Sequence, residues 1–296
     1  MSASKNQTVV SVEEYLKQAS SRVNSALEEF LPAEDEAPAD LHKAVRYSIF
    51  AGGKRLRPAL ALASFEACHG QGDDILLAAC ALEMTHTFSL IHDDLPCMDN
   101  DDFRRGRPTN HKVFGEALAI LACDSLLVYA FELLARTSRP ECVATLAKGL
   151  GTKGMLGGQV VDIQSEGKSV GLETVNYIHR HKTAALIEAS LVLGAQMADA
   201  EDGVIAGIGA FGNKIGLAFQ IVDDVLDLEQ TTETLGKDAG SDLAKGKATY
   251  PAVVGIAQSK AMALQLVEEA KAELRKLRIQ STVLELIADY IITRVH

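Results

Sequence analysis

Two runs of aspartate carry the chemistry this sequence can do. The first, Asp93-Asp94-Leu95-Pro96-Cys97-Met98-Asp99-Asn100-Asp101-Asp102, places five carboxylates within ten residues. The second is Asp223-Asp224-Val225-Leu226-Asp227. Carboxylate oxygens are hard donors that suit Mg²⁺, which usually takes one or two protein carboxylates and leaves its other positions to water and substrate phosphates. Pro96 disfavours helix through Leu95, so the chain can turn and bring Asp99 back toward Asp93. In the second run Asp223 and Asp227 lie one helical turn apart and share a face, with Asp224 beside them. Like charges at that spacing repel. Their neighbours Ile221, Val222, Val225, Leu226 and Leu228 are apolar, which argues against a solvated acidic surface and for a metal as the compensating partner.

Basic residues complete the set. Gly52-Gly53-Lys54-Arg55-Leu56-Arg57-Pro58 joins a glycine turn to three cations, and a guanidinium such as that of Arg57 can grip phosphate through two hydrogen bonds. Arg104 and Arg105 follow the first acidic run, and Lys182, Lys237 and Lys247 lie in later segments. Any one of these alone says little, because loop lysines are usually solvated. Beside two acidic runs they describe sites for two diphosphates, one bridged by metal and the other held by cations. His86 fits either a core histidine with a satisfied hydrogen bond or a substrate contact. Gln159 and Asp162 are weaker candidates, and Gly157-Gly158 reads as a close helix contact. Asp101 and Asp102 order their loop or bind water around the metals. His92, His111, His179 and His181 read as structural or surface residues.

Helices must position these groups. Ser11-Val12-Glu13-Glu14 has capping-box spacing and starts a first helix that runs to about Glu29. Pro32 to Pro38 is a loop, and Asp40 caps a second helix that ends at Gly52-Gly53. Apolar periodicity predicts further helices at about 58–69, 73–92, 115–137, 140–152, 172–198, 202–226, 249–277 and 282–293. Alternation of β-branched residues never extends far, and no composition shift marks a linker. The chain therefore reads as a single all-α domain over residues 1–296 with the first ten residues frayed.

Composition narrows the function further. The chain is 47% hydrophobic with seven prolines and no tryptophan, which allows a substantial helical core. A formal charge of −11 and a pI near 5.2 argue against a nucleic-acid partner. Cys68, Cys80, Cys97, Cys123 and Cys142 are odd in number and widely spaced, so they read as buried thiols in a reducing cytosol, with no disulfide frame or zinc site. The first residues lack the basic and long apolar regions of a signal peptide, which agrees with a cytoplasmic location. Ala117 to Ala135 is the most membrane-like stretch, but Asp124 and Glu132 interrupt it. It reads as a core helix, with no integral membrane association.

The motifs GGKRLRP (52–58), HTFSLIHDDLPCMDNDDFRRGRPTNHKVFGEA (86–117), GGQVVD (157–162), HRHKT (179–183), FQIVDDVLD (219–227), LGK (235–237) and GKATYP (246–251) occur in one order along most of the chain. With them the sequence resembles a trans-polyprenyl diphosphate synthase of the bacterial short-chain kind, the makers of farnesyl or geranylgeranyl diphosphate. The resemblance implies a helical bundle around a central apolar cavity, the isoprenoid synthase fold, and a homodimer. It implies condensation of isopentenyl diphosphate with an allylic diphosphate, dimethylallyl or geranyl, with about three Mg²⁺ ions. Asp93, Asp94, Asp99, Asp223, Asp224 and Asp227 match the metal-binding motifs, with Asp93, Asp99 and Asp223 as leading ligands. Lys54, Arg57, His86 and Arg105 stand where the family holds isopentenyl diphosphate. Arg104, Lys182 and Lys237 stand where it grips the allylic diphosphate, with Lys247 in addition. Thr183 and Gln220 stand where it steadies developing cation charge. Cys123 stands where relatives commonly carry glycine.

Product length depends on side chains below the first acidic run. Ser89 and Thr85 lie one and two turns before Asp93 and are small, leaving that face open. The family rule associates an aromatic residue at the position of Phe88 with a floor at farnesyl length, although ideal helix geometry sets Phe88 well around the axis from Asp93. Farnesyl diphosphate is the expected product and geranylgeranyl diphosphate the alternative. A class I terpene cyclase would need no site for isopentenyl diphosphate, an HD-type phosphohydrolase would need further metal-binding histidines, and a non-catalytic synthase subunit would be expected to lose one acidic run. Asp93→Ala should lower Mg²⁺-dependent condensation by at least about 100-fold. Near-normal turnover would remove Asp93 from the metal site.

Overall fold

A computed structural model describes residues 11–229 and 246–293. The expected fraying of the first ten residues and the site assigned to Lys237 lie outside the described residues. The protein is all-α, as its periodicity predicts. Helix α1, Val12–Phe30, starts on Ser11, whose hydroxyl accepts from Glu14 N at 3.3 Å. Helix α2, Ala39–Ile49, begins directly after Pro38, so Asp40 sits inside its first turn and caps nothing. It also stops short of the glycines. Gly52 and Gly53, at φ +91° and +119°, form the turn into α3, Leu56–Ala67, a region that glycine enters without steric cost.

Helix α4, Ile75–Asp93, ends where Pro96 requires. After it the chain reverses through a short antiparallel pair, β1 at Phe103–Arg104 with β2 at Arg107–Pro108. Then come α5 (Asn110–Phe114), α6 (Glu116–Arg136) and α7 (Pro140–Leu150). Helix α8, Met155–Ser165, was not expected from periodicity, because Gly157 and Gly158 interrupt its apolar pattern. The predicted 172–198 helix is composite: α9 (Leu172–Ile178), a π-helical turn (His179–Ala184) and α10 (Ala185–Met197). Helix α11, Asp202–Glu229, runs one turn past its expected end. Gly255, at φ +81°, divides the last long segment into α12 (Tyr250–Val254) and α13 (Ile256–Leu274), and α14 (Thr282–Thr293) follows.

Helix α4 is the axis of the bundle. It packs on α3 and α6, and nearly every residue from Ile75 to Phe88 is buried. A second apolar core joins α10, α11, α13 and α14. On length and composition alone α4, α6 and α11 could each cross a membrane; here they pack on one another's neighbours, although α6 leaves Ile120, Leu121 and Val128 exposed. All five cysteines are free. Cys80, Cys123 and Cys142 are buried as expected, whereas Cys68 is half-buried and Cys97 is exposed because it lies in the turn after α4.

Helix α8 and the π-helical turn meet at a glycine. A Cβ at Gly158 would lie 2.2 Å from Lys182 N and 2.7 Å from its Cα, and neither backbone can retreat from the packed core. π-Helical turns concentrate at functional sites, and this one carries Lys182 and Thr183. Gly158→Ala should destabilise the protein by about 1–3 kcal/mol through overpacking. An unchanged melting temperature would mean that the two elements are free to separate.

Candidate active site

A cavity of about 380 Å³ opens between α4, α8, the π-helical turn and α11. At its acidic end the reversal after α4 closes as the sequence requires: Asp99 N donates to Asp93 O at 2.8 Å. Gln159 Nε2 donates to Asp93 Oδ1 at 2.9 Å. Lys247 Nζ lies 3.0 and 2.9 Å from the two Asp99 oxygens and 3.9 Å from Asp162, which also accepts from Lys182 at 2.7 Å. Asp223 and Lys182 also line the cavity. Burial pushes the Asp93 carboxyl above its ordinary range; the Lys182 charge opposes that shift, and the Asp99 charge adds to it.

Three of the six matched aspartates point elsewhere. Asp94 is 3% exposed and is gripped by Arg104, whose Nε lies 2.8 and 2.9 Å from its two oxygens and whose Nη2 lies 2.6 Å from Oδ1. Asp224, also 3% exposed, accepts from Tyr250 N at 2.9 Å and from Gln220 Nε2 at 3.0 Å, with His179 Nε2 at 3.3 Å. Asp227 is 2% exposed, one turn beyond the cavity wall. In this conformation all three face into the protein: Asp94 and Asp224 lie about 100° around their helices from Asp93 and Asp223, and Asp227, on the Asp223 face, is buried one turn farther along. His179 is structural as expected, and burial drives its imidazole down to about 3. Asp101 and Asp102 order their loop: Thr109 Oγ1 donates to Asp101 O at 2.8 Å and Lys112 pairs with Asp102 at 2.7 Å.

Arg57, His86, Arg104 and Arg105 line the same cavity. Arg105 docks on the glycine turn through Gly52 O. Lys54 does not join them. It is exposed, with its ammonium 5.5 Å from the centre of the Tyr290 ring, because the turn points it outward. Burial lowers the His86 imidazole well below its ordinary value, and the charges of Arg57 and Arg105 press it the same way. It is a neutral hydrogen-bonding group at neutral pH.

Its apolar lining includes Phe88, Phe219 and Met155. Thr183 Oγ1 donates to Gln220 Oε1 at 2.7 Å at its margin. Phe88 reaches the cavity together with Ser89, and its ring lies 4.5 Å from that of His92, which also lines the wall. Cys123 Sγ packs beneath, 3.6 Å from Phe88 O. Thr85 does not reach the cavity: it is fully buried and bonds back to Ala81 O and Leu82 O. Its expected part in product length is corrected on that ground.

The polyprenyl synthetase family model matches residues 38–286. The chain is 50% identical over 264 residues to the heterodimeric geranylgeranyl pyrophosphate synthase large subunit 1 of Arabidopsis thaliana, covering 85% of this chain and 71% of that one. It is 47% identical to the geranylgeranyl diphosphate synthase of Cyanophora paradoxa, over 95% of each chain. The chain belongs to the polyprenyl synthetase family. Among solved structures, this polyprenyl synthetase superposes on an FPP/GFPP synthase of Zymomonas mobilis with TM-score 0.84 at 35% identity, covering 96% of this chain and 100% of that one. A polyprenyl synthase of Caulobacter crescentus, complexed with calcium and isoprenyl diphosphate, gives TM-score 0.87 at 26% identity, over 99% and 100% of the two chains. The protein is a prenyltransferase.

The donor set of this polyprenyl synthetase fits a divalent cation. Asp93, Asp99 and Asp223 present hard oxygens, and the mutual repulsion of Asp93 and Asp99 is what a divalent charge would relieve. Among the described residues no three His, Cys, Asp or Glu side chains form a ready cage. Gln159 and Asp162, weak candidates from sequence, are both at the site, holding Asp93 and Lys182. Met155, Leu156 and Phe219 were missed, because an apolar lining has no signature apart from ordinary core periodicity.

The neutral state of His86 ties stability to pH. Its folded pKa lies well below the unfolded value near 6.5, so its contribution is complete above pH 6.5 and is lost as pH falls below it. Between pH 6.5 and 5.5 the wild type should lose about 1 kcal/mol more than His86→Gln. Parallel losses in paired denaturation curves would show that His86 is charged in the folded protein.

Proposed function

We propose that this prenyltransferase joins isopentenyl diphosphate head-to-tail to an allylic diphosphate, dimethylallyl or longer, with Mg²⁺, and carries the product to geranylgeranyl diphosphate. One observation carries the reaction type: a single cavity is lined by the carboxylates Asp93 and Asp223 with Lys182, by neutral His86 with Arg57, Arg104 and Arg105, and by apolar side chains. The acidic end suits the allylic diphosphate, since Asp93, Asp99 and Asp223 would hold Mg²⁺, which when bound neutralises charge on the leaving group. Lys182 and Lys247 can exchange their carboxylate partners for diphosphate oxygens as that charge develops. Arg57, Arg105 and His86 then place the double bond of isopentenyl diphosphate against the ionised allylic carbon.

Thr183 gives its proton to Gln220 Oε1, so its oxygen lone pairs are free to face developing positive charge. Phe88, Phe219 and Met155 keep out the water that would quench a carbocation. The new carbon–carbon bond leaves a cation that loses a proton, and the departed diphosphate, released beside that cation, is the base. Exposed Ile120, Leu121 and Val128 on α6 support a homodimer.

Geranylgeranyl diphosphate is preferred to farnesyl diphosphate because the relatives at 50% and 47% identity bear that name. The farnesyl reading rests on Phe88, which lines the cavity as the family rule for a floor requires. Chromatography of products from isopentenyl diphosphate with dimethylallyl, geranyl and farnesyl diphosphates decides between them. Geranylgeranyl diphosphate should dominate with every primer, and Phe88→Ala should shift the distribution to longer chains. Arrest at farnesyl diphosphate with rejection of the farnesyl primer would establish the second reading.

A further inference from the structure

Glu83 is a buried carboxylate that neither acidic run nor the cavity lining accounts for. It sits on α4 one turn before His86 and is 1% exposed. Its Oε1 accepts from Arg55 Nη1 at 2.6 Å. Arg55 also donates to Asn24 Oδ1 at 3.0 Å and Ile49 O at 2.6 Å. One guanidinium thus ties α1, the end of α2 and α4 to a residue held in the left-handed region at φ 48°. That is an uncommon conformation for a long side chain and needs surrounding contacts to persist.

Residues on either side of Arg55 serve the cationic lining of the cavity. Before it, Gly52 O accepts from Arg105 Nη1, and a Cβ at Gly53 would come within 2.7 Å of the Arg105 guanidinium. After it, Arg57 lines the cavity. Arg57 Nε and Glu83 Oε2 are both buried without hydrogen-bond partners. The Glu83 charge supports the charged forms of Arg57 and Arg105 against the burial that opposes them. A buried ion pair is often no more stabilising than apolar side chains of the same volume, so stability alone does not explain this one. Displacing a substrate-holding group by about 1 Å, in contrast, can cost much of its effect.

We infer that Glu83 is a positioning residue for the second diphosphate: through Arg55 it fixes the Gly52–Arg57 turn and so sets Arg57 and Arg105 beside His86 for isopentenyl diphosphate, without touching the substrate. The inference rests on the two-diphosphate reading above. Steady-state kinetics with each substrate varied in turn test it. Glu83→Gln should raise KM for isopentenyl diphosphate by roughly tenfold or more, with KM for the allylic substrate within about twofold and kcat within about threefold. A paired Arg55→Met/Glu83→Met variant fills the space without charge. It should melt near the wild type and keep the isopentenyl diphosphate defect. A folded Glu83→Gln with unchanged KM for isopentenyl diphosphate, equal rises in both KM values, or a paired variant with normal kinetics would each overturn the role. Failure of the wild type to condense the two substrates would instead overturn the two-diphosphate reading.

Discussion

The charged groups around the cavity are at least partly withdrawn from water, and several are met by a partner of opposite sign. Buried charge without a partner costs several kcal/mol or is lost by a change of protonation. Arg104 answers Asp94, Lys182 answers Asp162, and Lys247 answers Asp99. The pairs join elements far apart in sequence: Lys247 and Asp99 are separated by 148 residues. These contacts do two things at once. They hold the bundle's open end together, and they keep on hand charges that a diphosphate could take over.

The helices position these pairs because each is broken where a charge is needed. Helix α4 stops at Asp93 and the chain folds straight back on it. The π-helical turn between α9 and α10 inserts a local widening at Lys182 and Thr183, directly where Gly158 lets α8 approach the backbone. Helix α11 continues unbroken past Asp223, since that carboxylate needs only the correct face. Packing supplies the rigidity and the interruptions supply the chemistry.

Much of this was legible in the sequence, for identifiable reasons. Pro96 and the flanking apolar run marked the end of α4, and Asp99 returned to Asp93 as that break predicts. Helical periodicity found the long elements. It failed at α8, where Gly157 and Gly158 answer to a neighbouring backbone instead of a core face, and at α2, where Pro38 displaced Asp40 from the cap. Side-chain direction was the other failure. Lys54 belongs to a cationic heptapeptide, yet it faces Tyr290, while Arg55 in the same turn is buried on Glu83. Residue type announces a charge; only the turn geometry decides which charge meets the cavity.

The same point explains the paired aspartates. Adjacent residues on a helix point about 100° apart, so Asp93 and Asp94 cannot both face one metal from a straight helix end, and neither can Asp223 and Asp224. In each pair the first residue faces the cavity and the second faces the protein. Asp94 fixes Arg104. Asp224 can only accept hydrogen bonds when ionised, so it fixes the Gln220 amide with nitrogen inward and oxygen toward Thr183. The doublet joins two jobs on one helix: one carboxylate faces the cavity, and the other orients the neighbours that line it.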